Sequence, residues 1–393
     1  MLRRHLLQTT PLLLGALATP WSALAQSPTA PLTAAPGSIN RLVASWRTAP
    51  GTGAPNAGRD FLGVLELDWD ARRVRIAASV LLTERVHGLL TEPDGCFVAV
   101  GARPGHTLVR CDAAGQLMQR HSVEDESPPR TLDGHITASA DGQSLYTMET
   151  DRSTGQGWVS VRDRGTLKKE AQWTSHGMDP HQCLVDADGH LMLVNGGIPR
   201  TADGNKRDLH LMAPSLVRLD ARTGTLLGQW RLTDPRLSMR HVAWSLAPEP
   251  RTGAASMPLL GVALQAEHDD PAARKEAPAL AVWDGINLRI PSRSAVGGGY
   301  AGDIAPGPGG GFIVSGQKVG KGLLWHPDAP SELRTIAELR ELCALSTWHQ
   351  TASSSGVLIG SPRGVARWHP TEPPAMLAWP LDMSPDNHWV PLI

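Results

Sequence analysis

Pro180-His181-Gln182-Cys183-Leu184-Val185-Asp186-Ala187-Asp188-Gly189-His190-Leu191-Met192-Leu193-Val194-Asn195-Gly196-Gly197 is a strand, a tight turn and a second strand. Asp188-Gly189 suits a hairpin because glycine takes positive φ without steric cost. A histidine opens the first strand and Asn195 closes the second. After a loop comes a third strand, Leu216-Val217-Arg218-Leu219-Asp220.

This plan recurs. Segments like that third strand stand at Gly63–Asp68, Leu108–Asp112, Val159–Asp163, Leu216–Asp220, Leu280–Asp284, Leu323–Pro327 and Val365–His369. The seven copies lie roughly 40 to 65 residues apart, a period that suits propeller blades. Strand–turn–strand pairs precede six of them: His87–Ala102, His135–Thr150, His181–Gly197, His241–Glu267, Gly302–Gln317 and Leu342–Gly364. Each blade therefore reads as four antiparallel strands. The first copy lacks an inner strand, and Asn387–Ile393 is a strand without a partner. Pairing that C-terminal strand into the first blade closes the ring and removes an exposed edge. The expected fold is all-β, a single seven-bladed β-propeller over residues 39–393. Glu332–Cys343 comes nearest to an amphipathic helix. The longer connections, Pro50–Asp60, Pro199–Pro214 and His268–Pro278, read as surface loops, the second placed to cover one mouth of the ring.

Lys and Arg (37) nearly balance Asp and Glu (38), which leaves no general electrostatic footing for nucleic acid or an anionic membrane. Residues 1–25 read as a signal peptide: Arg3-Arg4 supplies charge, Pro11 to Ala18 an apolar core, and Ala23-Leu24-Ala25 a cleavage site. The Arg pair followed by His5-Leu6-Leu7 points to twin-arginine export. Residues 26–38, rich in Pro, Ala, Ser and Thr, read as a flexible leader. No later apolar stretch is long enough to span a bilayer. The mature chain is expected in the periplasm.

Five inner strands open with histidine: His87, His135, His181, His241 and His388. In the other two blades the matching place is near Asp303 and Cys343. The second strands return to the same mouth and end at Arg103, Glu149, Asn195, Gln265 and Gln317, with Arg363 near the corresponding place in the last blade. Imidazoles facing one cavity suit iron, copper or zinc, and Glu149 could complete a mixed site. The metal candidates are thus His87, His135, Glu149, His181, His241 and His388. Arg103, Asn195, Arg240, Gln265, Asp303 and Arg363 are candidates for binding a ligand. Against this stands a bland reading, in which each imidazole fixes blade register by bonding a neighbouring backbone.

No H-E-x-x-H, C-x-x-C, C-x-x-C-H, Walker loop or G-x-S-x-G elbow occurs. Cys96 and Cys111 flank the turn Ala102-Arg103-Pro104-Gly105 and are expected opposite one another, as a cross-strand disulfide or as two buried thiols. Cys183 and Cys343 read as core.

Several segments resemble one family. They are Gly134-His135 with Leu145-Tyr146-Thr147-Met148-Glu149, Pro180-His181 with Asn195-Gly196-Gly197-Ile198, Met212-Ala213-Pro214, Ser238-Met239-Arg240-His241, Gly299-Tyr300-Ala301-Gly302 and Pro362-Arg363-Gly364. Together they resemble the exported bacterial propellers grouped as domain of unknown function 1513. Gln182 departs from the pattern, where an acidic residue is expected, and so does the loop after Ile198. The resemblance implies a periplasmic accessory of iron acquisition, with imelysin-type and di-haem peroxidase-like proteins as companions. It carries over no reaction and no defined cofactor beyond an association with iron. A binding module for a metal, a metal complex or a partner is the leading expectation. A lactonase-like hydrolase, a metal-dependent oxidoreductase and an inert scaffold are the alternatives.

Overall fold

A computed structural model describes residues 39–50, 56–246, 258–351 and 354–392. Residues 1–38, read above as a signal peptide and leader, lie outside the described residues. Seven four-stranded antiparallel sheets follow one another along the chain. The inner strand of blade 1 is Met383–Pro391, the last in the sequence, and it pairs with Asn40–Thr48. Inner strands Val86–Thr91, Thr131–Ala138, Pro180–Val185, Leu237–Trp244, Ile304–Pro306 and Leu345–Thr351 open blades 2 to 7. Each packs beside the next, and that of blade 7 returns to that of blade 1. The propeller and its closure by the C-terminal strand are thus as the repeats imply.

The second strands explain why blades stack. Phe97–Gly101 is buried along its whole length. Phe97 and Ala99 pack toward blade 1, whereas Val98 and Val100 pack toward blade 3. Leu191–Asn195 divides likewise: Leu191 and Leu193 face blade 3, Met192 and Val194 face blade 5. Successive side chains leave opposite faces of a strand, so a strand buried on both faces must be apolar throughout. The interface that closes the ring, between blades 7 and 1, is filled by Trp46, Trp69, Trp348 and Trp389.

Two local expectations change. Arg334–Glu338, inside the segment nearest to a helical pattern, is the outer strand of blade 6. The short helix Pro271–Glu276 instead sits in a surface loop, its N-terminus capped by Asp270. The Cys96–Cys111 disulfide is also absent: all four cysteines are free. Phe97, not Cys96, lies opposite Cys111. A slip of one residue sends the two thiols to opposite faces of the sheet. Cys96 lies against the Met118 sulfur, while burial pushes the Cys111 thiol up to about 12.

Candidate functional site

Each of the five inner-strand histidines lies at a break in strand register. The breaks fall between Val86 and Gly88, Leu132 and Ile136, Pro180 and Cys183, and Met239 and Val242, and in blade 1 where Trp389 gives way to Pro385. A bulge takes its residues out of the in–out alternation and re-aims their side chains. Here all five imidazoles are re-aimed to one place. Gly134, in the blade 3 bulge at φ 91, lets His87 pack against its backbone.

Ring centroids of His87 and His388, His388 and His241, and His135 and His181 are each 4.5 Å apart. His181 and His241 are 4.7 Å apart, and His87 and His135 5.0 Å. Ring nitrogens of His87, His135, His181 and His241 lie within 4.8 Å of one another. His241, His388 and a carboxylate oxygen of Asp303 satisfy the same limit. Ligands roughly 2.0–2.1 Å from one ion lie at most about 4.2 Å apart, inside that limit.

Burial, followed by neighbouring imidazoles and guanidiniums, holds the pKa of His135, His181 and His241 well below 6.5. They are therefore neutral at neutral pH, each with one unprotonated ring nitrogen, although that of His181 faces Arg103. His87 shifts the same way, from burial first and then His388. His388 runs opposite: burial lowers it, but Asp303 and Asp386 outweigh that and raise it. Nε2 of His135, Nδ1 of His241 and Nε2 of His388 are buried without a hydrogen-bond partner. Such orphaned nitrogens carry a desolvation cost that a bound cation would remove.

Behind the imidazoles stand carboxylates. Asp386 Oδ1 lies 2.8 Å from His87 Nδ1, and its other oxygen accepts from Arg85. Asp303 Oδ2 lies 3.3 Å from His388 Nδ1 and accepts from the Leu345 N–H at 2.8 Å. Carboxylate–imidazole pairs of this kind fix the tautomer of metal-binding histidines and raise their basicity. Cys343 lends no thiol to the ring; its Sγ lies 3.9 Å from the Asp386 carbonyl oxygen.

A layer of ion pairs adjoins the ring. Arg103 Nε donates to Asp133 at 2.7 Å, its Nη1 donates to Asp179, and its Nη2 lies 3.3 Å from His181 Nδ1. Arg200 and Arg240 also reach Asp179, at 2.8 and 3.0 Å. Arg200 comes from the loop after Ile198, so that loop does lie against this side of the site. Burial would raise Asp179, but Arg103, Arg240 and Arg200 hold it down to about 2. Asp133 has fewer cations, and burial raises it to about 6 despite Arg103.

That shift has a pH consequence. A carboxyl whose folded pKa exceeds its unfolded value gives stability that is full below the unfolded pKa and lost as pH rises through the folded one. For Asp133 the window runs from 3.8 to about 6. Relative to Asp133→Asn, the native chain should lose stability as pH rises across that window, measured by urea denaturation. A difference that stays flat across it contradicts the assignment.

Other expected site residues lie elsewhere. Glu149 does not meet the imidazoles; it accepts from Arg162 Nη2 at 2.6 Å, in a buried network that includes Glu126. Asn195 bridges strands, bonded to Ser175 and Ser215. Gln265 donates to the Ala301 carbonyl. Arg363 is exposed on a turn. Three residues that matter were passed over in the sequence: Asp133, Asp179 and Asp386. Each stands two positions before a ring histidine, so an Asp-x-His pattern marks three of the five strands.

The protein is thus a seven-bladed propeller whose inner strands converge five imidazoles on one point. It belongs to the family described as "Protein of unknown function (DUF1513)", which its residues 80–392 match. Among solved structures it is similar to Kuenenia stuttgartiensis hydrazine synthase, with 13% identity and a TM-score of 0.52 over 86% of this chain and 95% of that one. It also matches a catalytically inactive virginiamycin B lyase from Staphylococcus aureus with quinupristin, at 9% identity and a TM-score of 0.48, covering 87% and 99% of the two chains. At such identities the likeness concerns the fold alone. No curated protein matches the sequence.

Proposed function

We propose that this chain is an exported binding module that holds a transition-metal ion in its histidine ring. The observation that carries this reading is the convergence of five imidazoles, three buried and two nearly so, several with unpartnered nitrogens and two backed by carboxylates. Imidazole donors suit iron, copper, zinc or nickel; carboxylate and carbonyl cages suit calcium or magnesium. A bound ion would supply a fixed positive charge and open coordination positions. The chain's own residues hold the imidazoles neutral and aim them. A lactonase-like hydrolase would call for carboxylates as direct ligands, and Asp303 and Asp386 instead spend their oxygens on imidazole, guanidinium and backbone groups.

The cellular setting belongs to the same proposal. The Arg3-Arg4 signal supports twin-arginine export to the periplasm. The family resemblance supports a role in iron acquisition beside imelysin-type or di-haem peroxidase-like proteins. Among the described residues no helix is long and apolar enough to cross a membrane.

Metal analysis tests the reading. Exported protein, purified without chelators or an affinity-tag histidine run, should contain near-stoichiometric transition metal. A folded His135→Ala/His241→Ala variant should lose it. A metal-free wild type that also fails to take up iron, copper, zinc or nickel on reconstitution would sink the proposal.

A further inference from the structure

The ring is electrically lopsided. Behind His388 and His87 stand two carboxylates, Asp303 and Asp386, with one half-exposed guanidinium, Arg85. Around His181 three guanidiniums, Arg103, Arg200 and Arg240, face two carboxylates, Asp133 and Asp179. That side carries buried positive charge in excess, beside a place where a cation would sit. Like charges so close, and so poorly screened, repel strongly.

The tautomers divide the same way. A carboxylate only accepts, so His87 and His388 donate from Nδ1 and, as neutral rings, keep a lone pair on Nε2. A guanidinium only donates, so Arg103 makes Nδ1 of His181 the acceptor and leaves the proton on Nε2. Neutral His181 therefore presents an N–H, which suits an anion and not a metal. Arg240 adds a second free donor: its side chain is 5% exposed, yet its Nε has no partner.

We infer that the site takes its metal together with an oxyanion: His87, His135 and His241 hold the cation, and His181 with Arg103 and Arg240 holds the anion beside it. The inference rests on the metal reading above. It adds the ligand class, a metal with a carboxylate or small inorganic oxyanion, and its orientation in the ring. The anion would satisfy the Arg240 and His181 donors and offset the repulsion between metal and guanidiniums.

Co(II) and Cu(II) perchlorate serve as probes, titrated into metal-free full-length protein in decarbonated, non-coordinating buffer. The titration is repeated with bicarbonate and with acetate, which separates an inorganic oxyanion from an organic carboxylate. Because coupling is reciprocal, anion should tighten metal binding about tenfold or more, and metal should tighten anion binding by the same factor. In Arg240→Gln and His181→Ala the ratio of affinities with and without anion should fall toward one. Equal metal affinity in all buffers for the wild type overturns the inference and leaves the metal reading standing. Failure to bind either metal under any condition overturns both. The wild-type titrations decide the matter even if a variant does not fold.

Discussion

Replacing Asp179 by Asn is expected to destabilise the folded chain by about 3–5 kcal/mol, the cost of breaking a buried ion pair from one side. Asp179 has no exposed side-chain surface and receives Arg103, Arg200 and Arg240. Arg103 keeps Asp133 and the Pro180 carbonyl, and Arg200 keeps the Gly204 carbonyl. Arg240 has no other hydrogen-bonded carboxylate and is almost fully buried. The substitution isolates charge from backbone strain: Asp179 sits at φ 57, a conformation that asparagine also tolerates. Shape and one acceptor oxygen are retained. Urea denaturation with an unchanged slope and a lowered midpoint would report the loss. A change below about 1 kcal/mol would show that the remaining partners or water absorb the guanidinium charge.

The second large effect concerns the metal. Asp386→Asn is expected to weaken metal binding by about 10–100-fold, the usual result of losing a carboxylate behind a ligating imidazole. Asparagine can still accept from His87 Nδ1, so ring orientation survives while the negative charge goes. Its amide can turn toward Arg85, which is half exposed and free to swing into water. Asp303 is the poorer test, since both its oxygens already accept backbone N–H groups, those of Ile304 and Leu345. Arg85→Gln is the control: it removes a competing cation without touching the imidazole, so affinity should hold or rise. Competition against a metal indicator measures both variants. An Asp386→Asn affinity within about twofold of wild type would mean that His87 does not depend on its carboxylate.

Much of the site was visible in the chain once the blades were counted. His87, His135, His181, His241 and His388 fall at one place in the repeat, and that alone put them at one mouth. Asp133, Asp179 and Asp386 were equally visible as Asp-x-His, but with each strand read as opening at its histidine they fall where a turn acid is ordinarily found, whereas Asp133 and Asp386 lie within their strands. Glu149 shared its repeat position with Arg103, yet only Arg103 reaches the ring. Glu149 is claimed by Arg162, thirteen residues away in sequence and on the neighbouring strand. Cys96 and Cys111 missed one another by a single residue of register, which turn length alone does not define.

Blade number, the order of strands and closure by the C-terminal strand follow from sequence because each depends on local alternation, turn chemistry and a repeated period. Where the imidazoles point does not. Every ring histidine lies in a bulge, where the two-residue alternation is suspended and the side chain no longer obeys the pattern of its strand. Bringing five such side chains together then requires all seven blades to stack and close. The same closure sets carboxylates behind one arc of the ring and guanidiniums behind the other, since those partners come from different blades. Charge and tautomer at the site are therefore tertiary properties, decided by packing between segments far apart in the chain.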